Sequence, residues 1–121
     1  MYGIGVDAVQ ISRMKKISES FIKKYYHSSE ISEYLKLSNA HEDIRCRFLA
    51  SRFAVKEAYA KAIGKGFSEN VKPCEICTLN NEYGAPVISL YGSTLKTNGT
   101  LKCHVSITHE ADLAIAFVVL E

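Results

Sequence analysis

Glu57 is the residue of this chain whose setting most demands chemistry. It lies in the run Phe48-Leu-Ala-Ser-Arg-Phe-Ala-Val-Lys-Glu-Ala-Tyr-Ala-Lys-Ala-Ile-Gly64. At about 100° per residue it falls in the middle of an arc made by Cys46, Leu49, Ala50, Phe53, Ala54 and Ala60. An ionised carboxylate on an apolar face is costly unless a cation, a hydrogen-bond donor or a metal meets it. Lys61, one turn on, projects from the same arc, so an i,i+4 ion pair on a solvated face is the plain alternative. A second acid has a comparable setting. In Tyr2-Gly-Ile-Gly-Val-Asp-Ala-Val9 a strand places Ile4, Val6 and Ala8 on one face and Gly3, Gly5 and Asp7 on the other. That face is empty of side chains except for Asp7. It suits close packing of a helix or a ligand held by the carboxylate; equally, Asp7 closes the strand and caps the segment starting near Gln10. The third polar group is Ser106-Ile-Thr-His109, at the end of a strand where the chain turns, a place where a lone histidine is ordinarily solvated or capping.

The elements that must position these groups follow from periodicity. The opposite side of the Glu57 helix carries Phe48, Val55, Tyr59 and Ala62, so the helix is apolar on both sides and belongs inside the domain. Arg52 and Lys56 fall on a flank between the two faces, with Arg45 earlier on the same flank. Gly64 ends the helix as its C′ residue, with Lys61 and Lys65 complementing its C-terminus. Cys103 to His109 and Leu113 to Leu120 read as a hairpin, the second strand apolar on both faces and therefore internal to a sheet. Ser28 to Leu35 reads as a helix start with Ser29 as its cap, Asn39 to Asp43 as a loop, Asn80 to Gly84 as a turn between strands, and Asn98-Gly99 as another turn. The expected architecture is α+β: a single domain over residues 1–121, with a long central helix packed against an antiparallel sheet.

The three blocks Gly3-Ile-Gly-Val-Asp7, Phe48 to Gly64 and Val105-Ser-Ile-Thr-His109, with Arg13 between the first two, occur in order across the whole chain. Together they resemble bacterial holo-acyl-carrier-protein synthases, the short-chain branch of the 4′-phosphopantetheinyl transferases. The resemblance implies an enzyme that moves the phosphopantetheine arm of coenzyme A onto a serine of apo-acyl carrier protein, for fatty acid biosynthesis, releasing adenosine 3′,5′-bisphosphate. It implies Asp7 and Glu57 as ligands of Mg²⁺ (Mn²⁺ being the other candidate), and Lys61 as a contact to a phosphate oxygen. Glu57 is the base by the same resemblance, directly or through a metal-bound water. His109 matches the family histidine near the phosphates, Arg52 an arginine that holds the nucleotide, and Ser106 a polar contact beside it. Gly64 belongs to the flexible turn after the helix. Gly84-Ala-Pro86 resembles the family's Gly-Lys-Pro loop, with Ala85 where the lysine is expected; Arg45 and Arg47 are the basic residues of an unusual stretch before the helix. Arg13 matches the family's carrier-protein contact. Short members of the family are homotrimers with active sites between subunits, and this is the assembly expected here.

Composition bounds the alternatives. The 121 residues carry a net charge of +2, which gives no sign of nucleic-acid binding. Arg13, Lys15, Lys16, Lys23 and Lys24 interleave with Met14, Ile17, Phe21 and Ile22 as a basic amphipathic segment, suited to an acidic carrier protein. A non-catalytic binding module for such a partner is therefore the alternative function. Met1 leads straight into a strand, and no segment has the length and apolarity of a signal peptide or membrane span, so the cytoplasm is the expected compartment. Cys74-Glu-Ile-Cys77, with Cys103 and His104, can be written as a zinc or redox site. Strand positions three apart point to opposite faces, however, and structural thiols are the better reading.

Overall fold

The computed structural model describes residues 1–121. Its strands are β1 (Gly3–Gln10), β2 (Ile76–Asn80), β3 (Pro86–Leu90), β4 (Cys103–Glu110) and β5 (Leu113–Leu120), and its helices are α1 (Glu19–Tyr25), α2 (Ser28–Leu35), α3 (Glu42–Ile63) and α4 (Gly92–Asn98). A 3₁₀ stretch, Ile11–Lys16, follows β1, and a single 3₁₀ turn, Pro73–Glu75, precedes β2. The fold is α+β, as expected. β1, β5 and β4 form one antiparallel sheet with β5 in the middle, and β2 and β3 form a two-stranded antiparallel ribbon. The all-apolar sequence of β5 is explained by that central place.

α3 is the axis of the domain and packs across the inner face of β1 and β5. The two glycines of β1 let it approach. A Cβ on Gly3 would stand 2.0 Å from the Ala62 carbonyl oxygen, and one on Gly5 would stand 1.9 Å from that of Ala58. Two strand residues advance about 6.7 Å and four helical residues about 6 Å, so strand and helix run past each other in step. Asp7, two residues beyond Gly5, therefore comes level with the turn of α3 that carries Glu57. Ala50, Ala54, Val55, Ala58 and Tyr59 of α3 are fully buried, with Ala114, Ala116, Val118 and Leu120 of β5 beneath them. Gly64 closes the helix in the left-handed region at φ 93, its N–H donating to the Ala60 carbonyl.

A node of buried charge fixes the rest. Lys56 and Glu30 have no solvent exposure and are ion-paired. The ammonium also donates to the carbonyls of Pro73 and Ile76, and Glu30 accepts from the Thr78 N–H at 2.9 Å. α2, α3, the turn before β2 and β2 itself are thereby joined at one point. Lys56 is thus a core residue, not the flank residue its position on the wheel suggests. His27, not Ser29, caps α2: its ring accepts from the Ser29 N–H while Glu30 accepts from the His27 N–H. β2 begins at Ile76, so Cys74 lies in the preceding 3₁₀ turn and only Cys77 is in the strand. Burial pushes the thiols of Cys77 and Cys103 up to about 11. No helix is long and apolar enough to cross a membrane.

The outer face of the three-stranded sheet is left uncovered. Ile4 and Val6 are each 54% exposed and Phe117 44%, with Ile115 and Val119 between them.

Candidate active site

Asp7 sits in the middle of β1, opposite Ala116, and the strand runs on to Gln10. It therefore caps nothing. The 3₁₀ stretch after β1 is tied down by Asp112 of the β4–β5 turn, whose carboxylate accepts from the N–H and hydroxyl of Ser12 at 3.0 and 2.6 Å. Asp7 itself accepts from Lys61 Nζ at 3.1 Å, and the same ammonium reaches the Val6 carbonyl at 3.0 Å. Lys61 thus pairs with the strand acid and not with Glu57 four residues back. The ammonium is half exposed, while the Asp7 side chain keeps only 17% of its surface in solvent.

Glu57 is half buried, and no Lys, Arg or His pairs with it. Its charge is met by a hydroxyl: Tyr25, on α1, donates to Glu57 Oε1 at 3.2 Å. Burial, and then the Glu57 charge, hold the Tyr25 hydroxyl well above the ordinary phenol range, so it stays a donor. The tyrosine ring belongs to a cluster with Phe21 and Phe53, stacked on each at 4.9 Å between centroids while those two stand 6.4 Å apart, with Phe67 in a T-shaped contact at 6.2 Å. Tyr25 is not among the residues expected at the site. The signal for it is the aromatic pair Phe21 and Tyr25 at i,i+4 on α1, which forms the stack. Two oxygen-donor carboxylates, one lacking any cation, are a set that suits a hard divalent ion with water completing its shell.

The second group of expected residues lies elsewhere. Arg52, Gly84, Pro86 and His109 line one groove of about 380 Å³ together with Arg47 and Asn80, and no carboxylate faces it. Arg52 is buried and its guanidinium is committed, to the Thr78 carbonyl (3.2 Å), Ser51 Oγ (3.0 Å) and Asn80 Oδ1 (3.2 Å), above the ring of Phe48 at 4.3 Å. Arg47 is half buried and makes no ion pair, so it is the uncommitted cation of the groove. Gly84 turns at φ 82, and the loop is held by Asn81, whose side chain accepts from the N–H groups of Tyr83 and Ala85. The structure does not bring this groove to Asp7 and Glu57 within one chain. Arg52 and Lys61 are nine residues apart and point about 180° from each other around α3. His109 shares the inner face of the sheet with Asp7, but two strands and two residues separate them, about 12 Å.

Three expected residues fall outside both groups. Ser106 is on the outer face of β4 opposite Phe117, turned away from the groove that His109 lines. Gly64 lies beyond Lys61 at the end of α3 and lines neither site. Arg13 is exposed on the 3₁₀ stretch after β1, beside Lys15 and Lys16 in a shallow hollow without acidic lining.

This is an α+β domain in which Lys61 joins helix to strand at Asp7, with Glu57 one turn back on the helix and a basic groove on its far side. Residues 3–118 match the model of the 4′-phosphopantetheinyl transferase superfamily, and the chain belongs to that family. Among relatives, it is 41% identical to the holo-[acyl-carrier-protein] synthase of Ehrlichia chaffeensis, over 98% of this chain and 94% of that protein. It is 42% identical to the protein of the same name from Anaplasma phagocytophilum, over 98% and 96%. Among solved structures, the holo-[acyl-carrier-protein] synthase of Neisseria meningitidis superposes with a TM-score of 0.86 at 30% identity, over 100% of this chain and 98% of that one. The Bacillus anthracis enzyme, solved in complex with CoA (3′,5′-ADP), superposes with a TM-score of 0.83 at 30% identity, over 98% and 95%.

Proposed function

We propose that this protein transfers the 4′-phosphopantetheine group of coenzyme A to a serine of apo-acyl carrier protein, giving holo-acyl carrier protein and adenosine 3′,5′-bisphosphate for fatty acid biosynthesis. The observation that supports this reading is the Lys61–Asp7 contact between α3 and β1, one turn of α3 from Glu57, in a chain whose relatives are holo-acyl-carrier-protein synthases. In the reaction the serine Oγ forms a bond to the phosphorus that bears the pantetheine arm, and the bridging oxygen leaves with the nucleotide. Glu57 takes the proton that the serine hydroxyl loses. Lys61, released from Asp7, neutralises oxygen charge on the pyrophosphate as the bridge breaks. Asp7 and Glu57 would hold Mg²⁺, or Mn²⁺ in its place, and the bound ion would offset pyrophosphate charge. Arg52, Arg47 and His109 give the groove the positive character that a nucleotide phosphate needs.

The functional unit is a homotrimer with each site completed by a neighbouring subunit. Two features support it. The two groups of site residues point away from each other on a rigid helix, so one elongated substrate reaches both only if they come from different chains. The outer sheet face, with Ile4, Val6 and Phe117 in the open, is the kind of apolar patch that subunits cover. Arg13 and its lysine neighbours form the side that meets the acidic carrier protein, and the reaction takes place in the cytoplasm.

The test is the mass of apo-acyl carrier protein after incubation with this protein, coenzyme A and Mg²⁺. A gain of one phosphopantetheine arm is expected, abolished by EDTA and in Glu57→Gln. No gain on several apo carrier proteins, with the protein folded and coenzyme A intact, refutes the reading and favours a binding module that holds the carrier without reacting.

A further inference from the structure

We infer that Tyr25 is a positioning residue for Glu57: its hydroxyl holds one carboxylate oxygen and so fixes which oxygen faces the serine hydroxyl of the carrier. The inference rests on the transferase reading above and deepens it.

The Tyr25 hydroxyl is the one side-chain group that hydrogen-bonds Glu57, and it does so at Oε1. Lys61, the neighbour expected to restrain the acid, is spent on Asp7 and the Val6 carbonyl. Without Tyr25 the carboxylate would turn freely about its last torsion, which for a terminal sp³–sp² bond is broad and gives little intrinsic preference. The hydroxyl, in contrast, comes from a ring that cannot wander. The ring packs against Phe21 and Phe53, with centroids at 4.9 Å and interplanar angles of 17° and 19°, and against Tyr26 in a T-shaped contact at 5.5 Å. The restraint is also cross-element, running from α1 to α3 over a sequence separation of 32 residues, so it fixes Glu57 against the body of the domain and not merely within its own helix. At 3.2 Å the bond is long for a hydroxyl donor. Oε1 being engaged, Oε2 is the oxygen left to face the site.

Tyr25→Phe removes the hydroxyl and keeps the stack. In the transfer assay with coenzyme A, Mg²⁺ and apo-acyl carrier protein, kcat falls about tenfold, the worth of one hydrogen bond to a charged acceptor, and KM for coenzyme A stays within about twofold. Glu57→Asp, which draws the carboxylate back from Tyr25, is slow by itself and loses nothing further when Tyr25→Phe is added. A purely structural tyrosine would give additive losses instead. The bond is read separately from catalysis by thermal unfolding in EDTA without coenzyme A. Tyr25→Phe lowers Tm in the wild type but not in Glu57→Ala, where no acceptor remains. Absence of that coupling overturns the inference, because the bond is then not made. Coupling with unchanged kcat overturns it too, leaving Tyr25 a stability residue, and so does a rise in KM alone, which assigns Tyr25 to substrate binding. A wild-type protein inactive on every apo carrier takes down the transferase reading and this inference together, whereas an active wild type matched by Tyr25→Phe takes down the inference alone.

Discussion

Gly5→Ala is the substitution that most directly tests the spacing on which the acidic pair depends. The added methyl would stand 1.9 Å from the Ala58 carbonyl oxygen and 2.8 Å from the Ala62 backbone nitrogen. Both are backbone atoms of a 22-residue helix, so no side chain can swing aside. Ordinary contact requires strand and helix to part by roughly 1.5 Å at this point, in an interior packed as densely as a crystal. Overpacking of this kind costs about 2–3 kcal/mol. For a chain of this size that corresponds to a fall in Tm of about 10 °C, measured by circular dichroism at fixed protein concentration. The second consequence is catalytic. Asp7 is two residues from Gly5, while Glu57 moves with α3, so parting the two elements displaces one acid from the other by about an ångström. A displacement of that size in a reacting constellation lowers kcat about a hundredfold. Gly64→Ala is the control. Its added methyl meets nothing within 4 Å, and the cost is only that of a left-handed φ of 93, about 1 kcal/mol with kcat within a few-fold of wild type. A Gly5→Ala protein with Tm within 2 °C and kcat within about twofold of wild type would refute the reasoning, because the strand–helix distance would then not set the site.

Three further outcomes are expected. Lys56→Met leaves the Glu30 carboxylate buried without its cation and destabilises the protein by about 3–5 kcal/mol in urea unfolding, and Lys56→Met with Glu30→Leu recovers much of that loss. Phe117→Glu puts a charge in the centre of the uncovered sheet face; sedimentation gives a monomer, circular dichroism stays native, and transfer is lost because the two groups of site residues no longer meet. Arg13→Glu raises KM for acyl carrier protein about tenfold and leaves KM for coenzyme A unchanged, since it reverses charge in the basic hollow alone.

Patterns local to one element are the ones that can be read from the chain. Gly3 and Gly5 on the Asp7 face announce that something lies close there, a helix or a ligand, and the structure puts α3 against them. The unbroken apolar run of β5 announces the middle of a sheet, and Gly64 marks the end of α3. What escapes is partnership across long separations. Lys56 and Glu30 each carry the charge of a surface residue, and nothing within either element reveals that they meet in the core. Tyr25 is concealed in the same way: its stack is visible as an i,i+4 pair, whereas its hydroxyl partner is on another helix. His27 replaces Ser29 as the cap of α2 because Glu30 is drawn into the core node, which fixes the register of that first turn. α4 escapes for another reason. Gly-Ser-Thr-Leu-Lys-Thr-Asn is poor in helix formers, and the helix is held from outside, by Glu75 accepting from the Thr94 N–H and from the hydroxyls of Ser93 and Thr94.

The division of the expected site into two groups follows from α3 being a single rigid element. Acids and Lys61 occupy the flank against β1, and Arg52 the opposite flank against β2. A sequence motif records both flanks as one continuous run, because adjacency along the chain is indifferent to direction around the helix. Had the run been a loop, one chain could fold both halves onto one pyrophosphate. As a helix it holds them about 180° apart, and no rotamer of Arg52 changes that, since its guanidinium is already tied to Thr78, Ser51 and Asn80. On the reading proposed above, a substrate that needs both an acidic, cation-binding end and a basic, phosphate-binding end would lie across a junction between copies. The uncovered face of β1, β5 and β4 is the surface on which the proposed copies would meet, and Ser106 lies on that face, so it approaches a site only if a neighbouring subunit supplies one there.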